Sequence, residues 1–537
     1  MNNKKIYYGG SIITMNDDLP NVAAIGIADD KIVALGSLED VKQNLTDAEL
    51  IDLNGNTILP GFHDCHCHPI PYIFFLIILN LRTIKSYKEF EKVLKDNANK
   101  KKPGEWIFGL SYDELNFEDE KKLPDKWELD RICPNNPVFI LRFDGHIGIA
   151  NSKALEIADI NKDSIPPEGC EYRKNEKGEL NGIITEKAVR MFITNYTLPT
   201  QEQLNKASIK AFQNLAQKGI TTLHGIIHLG AGGEAGDLGA IEIPIMKSIQ
   251  DNILQNWYSL VFTKTPRKLK RIRKAPLHGG KKDSKFKMEA IKLYIDGSLG
   301  ACTAWMHEPF LDQPDKSGFS VYDNLEDLYD QMKEAHTLGY QIGVHAIGDK
   351  GNRVLVDLYK RLLKEHPRED HRHRIEHASL LTADVIKDMK ELGLIASIQP
   401  PFITTDRKLA DYRLGPKRSK YTYPFNSLIK AGVICASGSD SPVEDPDVIW
   451  GIHALVNREG FIPEECLNVE EALKTYTINA AYAAFEEDVK GSIAVGKLAD
   501  LVILDKNPLE VAKDDIKNIK VIETIIRGKT AYKKGKD

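Results

Sequence analysis

LEDLYDQMKEAHTLG (325–339), continued by YQIGVHAIGD (340–349), carries the pattern that decides the fold. A helical stretch closes at Gly339, and a short apolar strand of the buried type follows and ends at His345. The same succession recurs in QLNKASIKAFQNLAQKG (203–219) with ITTLHGI, in TADVIKDMKELG (382–393) with LIASIQPPF, and in FNSLIKAG (425–432) with VICASGSD. Repeated helix–strand alternation predicts an α/β fold, a parallel sheet with helices outside, either open or closed into a barrel. A later helix is predicted over 469–485, opened by Asn468 and Glu471 at capping-box spacing, with Ala472, Leu473, Tyr476, Ala480 and Ala484 on its packing stripe.

Away from this centre the pattern changes. Residues 5–58 read as short alternating segments (KIYYGGSIITM, VAAIGIADDKIVALG, ELIDLNGNTIL), and DLVILD and VIETIIRGKTAY after residue 490 read alike. Two β-rich ends around a long middle predict a small β-sandwich built from 1–60 and 488–537, with the barrel over 61–487. The stretch at about 75–205 fits the repeat poorly. Its charged helices, Pro-rich loop and strand VFILRF read as an insertion covering one end of the barrel.

At 537 residues the chain exceeds what one core usually holds. Apolar residues at 42%, charged residues at 28% and a net charge of −5 describe an ordinary soluble protein with no nucleic-acid surface. KTPRKLKRIRK (264–274) reads as a solvated basic stretch. Seven cysteines without regular spacing argue against a disulfide framework and for a reducing compartment. The apolar run IFFLIIL (73–79) is far short of the ~20 residues a membrane helix needs. A cytoplasmic protein without a membrane partner is the expectation, and base rates favour a homodimer.

LPGFHDCHCH (59–68) introduces the chemistry. Two-residue spacing on a strand puts His66 and His68 on one face, where both can grip one ion. Cys65 and Cys67 then point away, so a mixed Cys/His zinc clip is disfavoured and the cysteines read as small packing residues. Other strands end in residues of the same kind: His345, His377 in RIEHASLL, Asp440 in VICASGSDSPV, and Lys292 with Asp296 in MEAIKLYIDGS. In a parallel barrel the C-terminal strand ends share one mouth, so these residues can meet. Four histidines and an aspartate at that point of successive units are hard to explain as packing.

In this order the residues resemble the amidohydrolase superfamily, and more fully its YtcJ-like branch, amidohydrolase family 3. The matching segments are PGFHDCHCHP, LRFDGHIGIANSKAL, IKLYIDGSLGACTAW, GVHAIGD, RIEHASLL, SIQPPF and SGSDSPV, spread over about residues 55–500. The resemblance implies a (β/α)8 TIM barrel with a terminal β-sandwich. It implies that His66 and His68 hold one divalent metal, that His345 and His377 hold a second, and that N-carboxylated Lys292 bridges the two. A lysine paired with Asp296 or with substrate is the alternative. It further implies Asp440 as metal ligand and general base. Asp144, His146 and Asn151 are the implied substrate contacts, joined by Asp296 and Trp305 as expected pocket residues. His224 and His228, on an expected third strand, read as packing or supporting residues, and His371 and His373 as exposed. Tyr112 and Asp113 of LSYDEL stand where relatives often have Gly-Trp-Asp, and His63 replaces a more usual aliphatic residue. Both departures bear on substrate specificity.

The expected reaction is hydrolysis of a non-peptide C–N bond in an amide, N-formyl compound or cyclic amide. A mononuclear deaminase and a non-catalytic ligand sensor on the same fold are the alternatives. Two zinc ions suit the donors, with iron, manganese, nickel or cobalt able to replace them.

Overall fold

The computed structural model describes residues 4–142, 147–167, 170–185, 188–189, 192, 199–230, 239–268 and 284–535. Contacts within the chain divide it into two units, Met1–Ile70 with Ile209–Asp537, and Pro71–Ser208.

The larger unit is built on an eight-stranded parallel sheet. Its strands are β1 (Phe62–Cys67), β2 (Ile220–His228), β3 (Asn256–Phe262), β4 (Phe286–Tyr294), β5 (Gln341–Ala346), β6 (Arg374–His377), β7 (Ile395–Ile398) and β8 (Cys435–Ser437), hydrogen-bonded in chain order. Beyond β8 the backbone returns to β1: Asp440 N–H donates to His66 O at 2.6 Å and His68 N–H to Ser441 O at 2.7 Å, which closes a TIM barrel at its mouth. The four glycines expected to end helices, Gly219, Gly339, Gly393 and Gly432, all adopt positive φ, between 66° and 83°.

The late helix over 469–485 is two helices, Val469–Thr475 and Ile478–Ala483. The capping box of Asn468 and Glu471 forms as expected, but Thr477 leaves helical geometry (φ −129°, ψ −99°) and breaks the run. His224 and His228 lie on the second barrel strand, not a third.

Two further sheets draw on both ends of the chain. Lys4–Tyr8, Ala24–Ala28, Lys31–Gly36 and Glu49–Asp52 form one; Thr57–Pro60 pairs antiparallel with Leu501–Leu504 in the other. Tyr7, Ile25, Ile27, Ile58, Leu501 and Ile525 share one core.

The second unit carries more strand than the sequence suggested. Six strands, from Leu79–Asn80 to Leu180–Thr185, form one sheet, accompanied by helices Tyr87–Ala98, Lys126–Ile132 and Ser152–Ile157. Its cores include Phe90, Leu94, Leu129 and Val138, and Phe139, Ala154 and Phe192. Among the described residues, no helix is long and apolar enough to cross a membrane.

Candidate metal centre

The mouth of the barrel gathers imidazoles and carboxylates in a water-poor place. Donor atoms of His66, His377 and Asp440 all lie within 4.8 Å of one another, and all three residues are buried. Asp440 Oδ1 stands 3.4 Å from His66 Nε2 and 3.0 Å from His68 Nε2. The ring of His377 packs 4.7 Å from His66 and 4.4 Å from His345, centroid to centroid. His345 itself turns Nε2 to the Gly297 carbonyl at 3.1 Å. Lys292 is fully buried at the end of β4, with its ammonium 4.9 Å over the Tyr294 ring.

Electrostatics favour the metal-binding form of these groups. Burial first, and then the charge of Lys292, holds His66 far below the usual histidine range; burial and the neighbouring His345 and His66 do the same for His377. Both are therefore neutral imidazoles with a lone pair to offer. His66 Nδ1 lies 2.5 Å from Glu376 Oε2, while Nε2 is buried without a hydrogen bond. Burial works against ionisation of Glu376, but Arg374 followed by Lys292 overcomes it and keeps the carboxyl below its ordinary range. An orphaned buried imidazole nitrogen facing a carboxylate and a second neutral histidine fits a divalent cation.

Two backbone features aim the donors. His377 and Asp440 have φ of 74° and 60°, in the left-handed region that residues other than glycine seldom enter. Asp64, one strand step before His66, accepts from Ser439 N–H at 2.9 Å and Ser439 Oγ–H at 2.5 Å, and so ties β1 to the segment carrying Asp440. Burial raises the Asp64 carboxyl to about 6 against these bonds.

Around the mouth the rings form an arc. His228 packs 5.1 Å from Phe262, Phe262 5.5 Å from Tyr294, and Tyr294 5.6 Å from His345. A cleft of about 900 Å3 opens here, lined among others by Phe262, Tyr294, Asp296, Thr303, Tyr322 and His345, a size suited to a small molecule. His228 Nδ1 is 3.1 Å from Glu242 Oε2, and its buried Nε2 makes no hydrogen bond.

The remaining expectations fare unevenly. Asp144 and His146 lie outside the described residues. Asn151 is no substrate contact: it is fully enclosed, its Oδ1 accepts from Val138 and Ala154 N–H, and its Nδ2 donates to Asn136 O. Asp296 lines the cleft, 3.7 Å from His345 Nε2, but its carboxylate already accepts from the N–H groups of Trp305, Ile347 and Gly348. Burial lifts it to about 7 despite those bonds. Trp305 is half-buried under the Lys350 ammonium (4.8 Å) and is not among the cleft-lining residues. His371 and His373 are buried, not exposed, because both are spent in a chain: His373 Nε2 meets His336 Nδ1 at 2.8 Å, and His371 Nδ1 accepts His373 N–H. Cys65 packs with Ile395, Ala436 and Ala480. His63 faces His224, while Tyr112 packs in the second unit's own core and Asp113 caps a short helix.

Glu376, Asp64 and the His228–Glu242 pair escaped sequence reasoning. Arg374 and Glu376, charged at i and i+2 of a short strand set among apolar barrel strands, were a usable signal, since such charges enter a barrel wall only when paired.

Comparison with known proteins agrees with the geometry. The pattern described as Amidohydrolase family matches residues 49–532. The Bacillus subtilis (strain 168) protein YtcJ is 29% identical over 99% of this chain and 100% of its own. N-substituted formamide deformylase of Arthrobacter pascens is 23% identical over 95% of both chains. A metal-dependent hydrolase of Pyrococcus horikoshii superposes with a TM-score of 0.76 at 28% identity, covering 95% of this chain and 99% of that one.

Proposed function

The chain belongs to the amidohydrolase family of metal-dependent hydrolases, and on that premise we propose that it cleaves a non-peptide C–N bond of a small amide, N-formyl compound or cyclic amide. His66, His68, Lys292, His345, His377 and Asp440 hold the metal in this reading. The observation that carries it is the convergence of neutral His66, neutral His377 and Asp440 within 4.8 Å. A divalent metal bound there supplies Lewis-acid polarisation of a carbonyl and a lowered pKa for water.

The protein's own groups do the rest. Asp440 Oδ1 takes the proton of the attacking water and returns it to the leaving nitrogen. The buried neutral Lys292 amine, on adding carbon dioxide and releasing a proton, would become a carbamate whose single negative charge is shared by two oxygens, where an ammonium offers no lone pair; such a group suits a two-zinc centre. Phe262, Tyr294 and Tyr322 give the cleft an apolar stretch of wall against which an apolar part of a substrate can pack. The C–N assignment draws on the formamide deformylase relative, whose name states that chemistry.

A second reading, a deaminase using one metal, is favoured by one observation. Donor atoms of His66, His377 and Asp440 converge on a single point, with His68 Nε2 3.0 Å from Asp440 Oδ1, while His345 Nε2 is engaged by Gly297 O. The test is a screen of N-formyl, N-acyl and cyclic amides against amino-substituted heterocycles, using protein reconstituted with zinc. Amide cleavage that disappears in Asp440→Asn supports hydrolysis; ammonia release from the heterocycles alone contradicts it.

A further inference from the structure

We propose that Arg374 and Glu376 form a charged clamp that fixes the ring and tautomer of His66, and thereby sets how tightly the centre holds its metal. This rests on the metal-centre reading above.

Alternation along β6 puts Arg374 and Glu376 on one face of the strand, and both are fully buried. The guanidinium pairs with the carboxylate at two points, Nε to Oε1 at 2.7 Å and Nη2 to Oε2 at 3.1 Å. It is anchored in turn to Cys65 O (2.6 Å) on β1, Ser397 Oγ (2.8 Å) on β7 and His224 Nδ1 (3.0 Å) on β2. The clamp is thus braced by β1, β2 and β7 besides its own strand. The carboxylate meets His66 Nδ1 at 2.5 Å. A carboxylate only accepts, so the imidazole proton sits on Nδ1 and the lone pair on Nε2, the nitrogen 3.4 Å from Asp440 Oδ1.

The barrel wall makes room for this carboxylate. A Cβ on Gly343 of β5 would come within 2.6 Å of Glu376 Oε1. A buried ion pair contributes little net stability compared with an apolar pair of the same size. Its use here is orientation, the role that carboxylates bonded to ligating histidines play elsewhere.

The test compares wild type with Glu376→Gln by zinc competition against a chromophoric chelator. The zinc dissociation constant should rise about 10–100-fold, the usual consequence of losing such a partner, in a variant whose circular dichroism is unchanged. Should the variant fail to fold, 15N-histidine NMR of the metal-free wild type decides, with the His66 signals identified by their loss in His66→Gln. The clamp predicts a proton on Nδ1; a proton on Nε2 overturns it. Equal zinc affinity of wild type and a folded Glu376→Gln also overturns it while leaving the metal centre intact. A wild type that binds no zinc removes the metal centre and the clamp together.

Discussion

His377 and Asp440 reach one point in the barrel mouth from β6 and beyond β8, and each does so on a left-handed backbone, φ 74° and 60°. Such a conformation costs a residue with a Cβ about 1–2 kcal/mol. Simple alternation along β6 would send His377 the way of Ile375; the left-handed step, continued at Ala378 (φ 47°), brings its ring to His66 instead. The strain sits at two of the three convergent donors. His377→Asn places a residue that tolerates this backbone at the same position. Its metal-free melting temperature should equal or exceed that of wild type while zinc content falls, both read on one preparation by calorimetry and elemental analysis.

The approach of β1 to the segment after β8 leaves no room for a side chain at Gly438. A Cβ there would lie 2.4 Å from His66 N and 3.0 Å from Asp64 Oδ1. Because backbone must yield, Gly438→Ala should lose about 1–3 kcal/mol in chemical denaturation, the usual cost of overpacking. Gly300→Ala is the control. Its Cβ would find nothing nearer than Leu409 at 3.8 Å, so a change within about 0.5 kcal/mol is expected.

Burial first, with the charge of Lys490 adding to it, holds the His63 imidazole down at about 3; His224 and His373 are depressed far below their ordinary range by burial as well. In the unfolded chain each titrates near about 6.5. Between those values the unfolded state binds protons the folded state refuses, so stability is complete above about pH 6.5 and is lost as pH falls toward 3. Each histidine well inside this window contributes a slope of about 1.4 kcal/mol per pH unit. Asp64 and Asp296, raised to about 6 and about 7, push the other way over this range, so the histidine contribution is read as a difference: between about pH 7.5 and about pH 5 wild type should lose more stability, or gain less, than His63→Gln. An unchanged slope in that variant contradicts the assignment.

The buried Lys292 gives a fourth expectation. Reconstituted with zinc in 13C-bicarbonate, the protein should show a carbamate carbon resonance that Lys292→Arg abolishes. A spectrum without that resonance leaves Lys292 as an unmodified amine and favours the one-metal reading.

Much of the site was legible because barrel geometry is periodic. Helix, glycine and strand repeat with one step per unit, so His66, Lys292, His345, His377 and Asp440 could be put at strand ends sharing one mouth; order alone did not number the strands, and it set His224 and His228 on a third strand where the fold has them on β2. What escaped depends on distance across the barrel. Glu376 and His66 are 310 residues apart, and nothing local in RIEH says which neighbour its carboxylate meets. Asn151 misled for the opposite reason: an amide at a helix start serves a cap and a substrate equally well in sequence, and here the cap and two backbone partners take both lone pairs of Oδ1 and one N–H of Nδ2 in an enclosed place. His371 and His373 looked exposed within EDHRHR, yet His336 and the β5 backbone give His373 its buried partners, and Leu392 O with His373 N–H give His371 its own.

The metal centre itself is tested most directly by counting zinc in reconstituted protein, wild type beside His345→Ala. Two equivalents in the wild type, falling to about one in the variant, are what a bridged centre of neutral histidines and Asp440 predicts. A wild type that retains no divalent metal after reconstitution would contradict it.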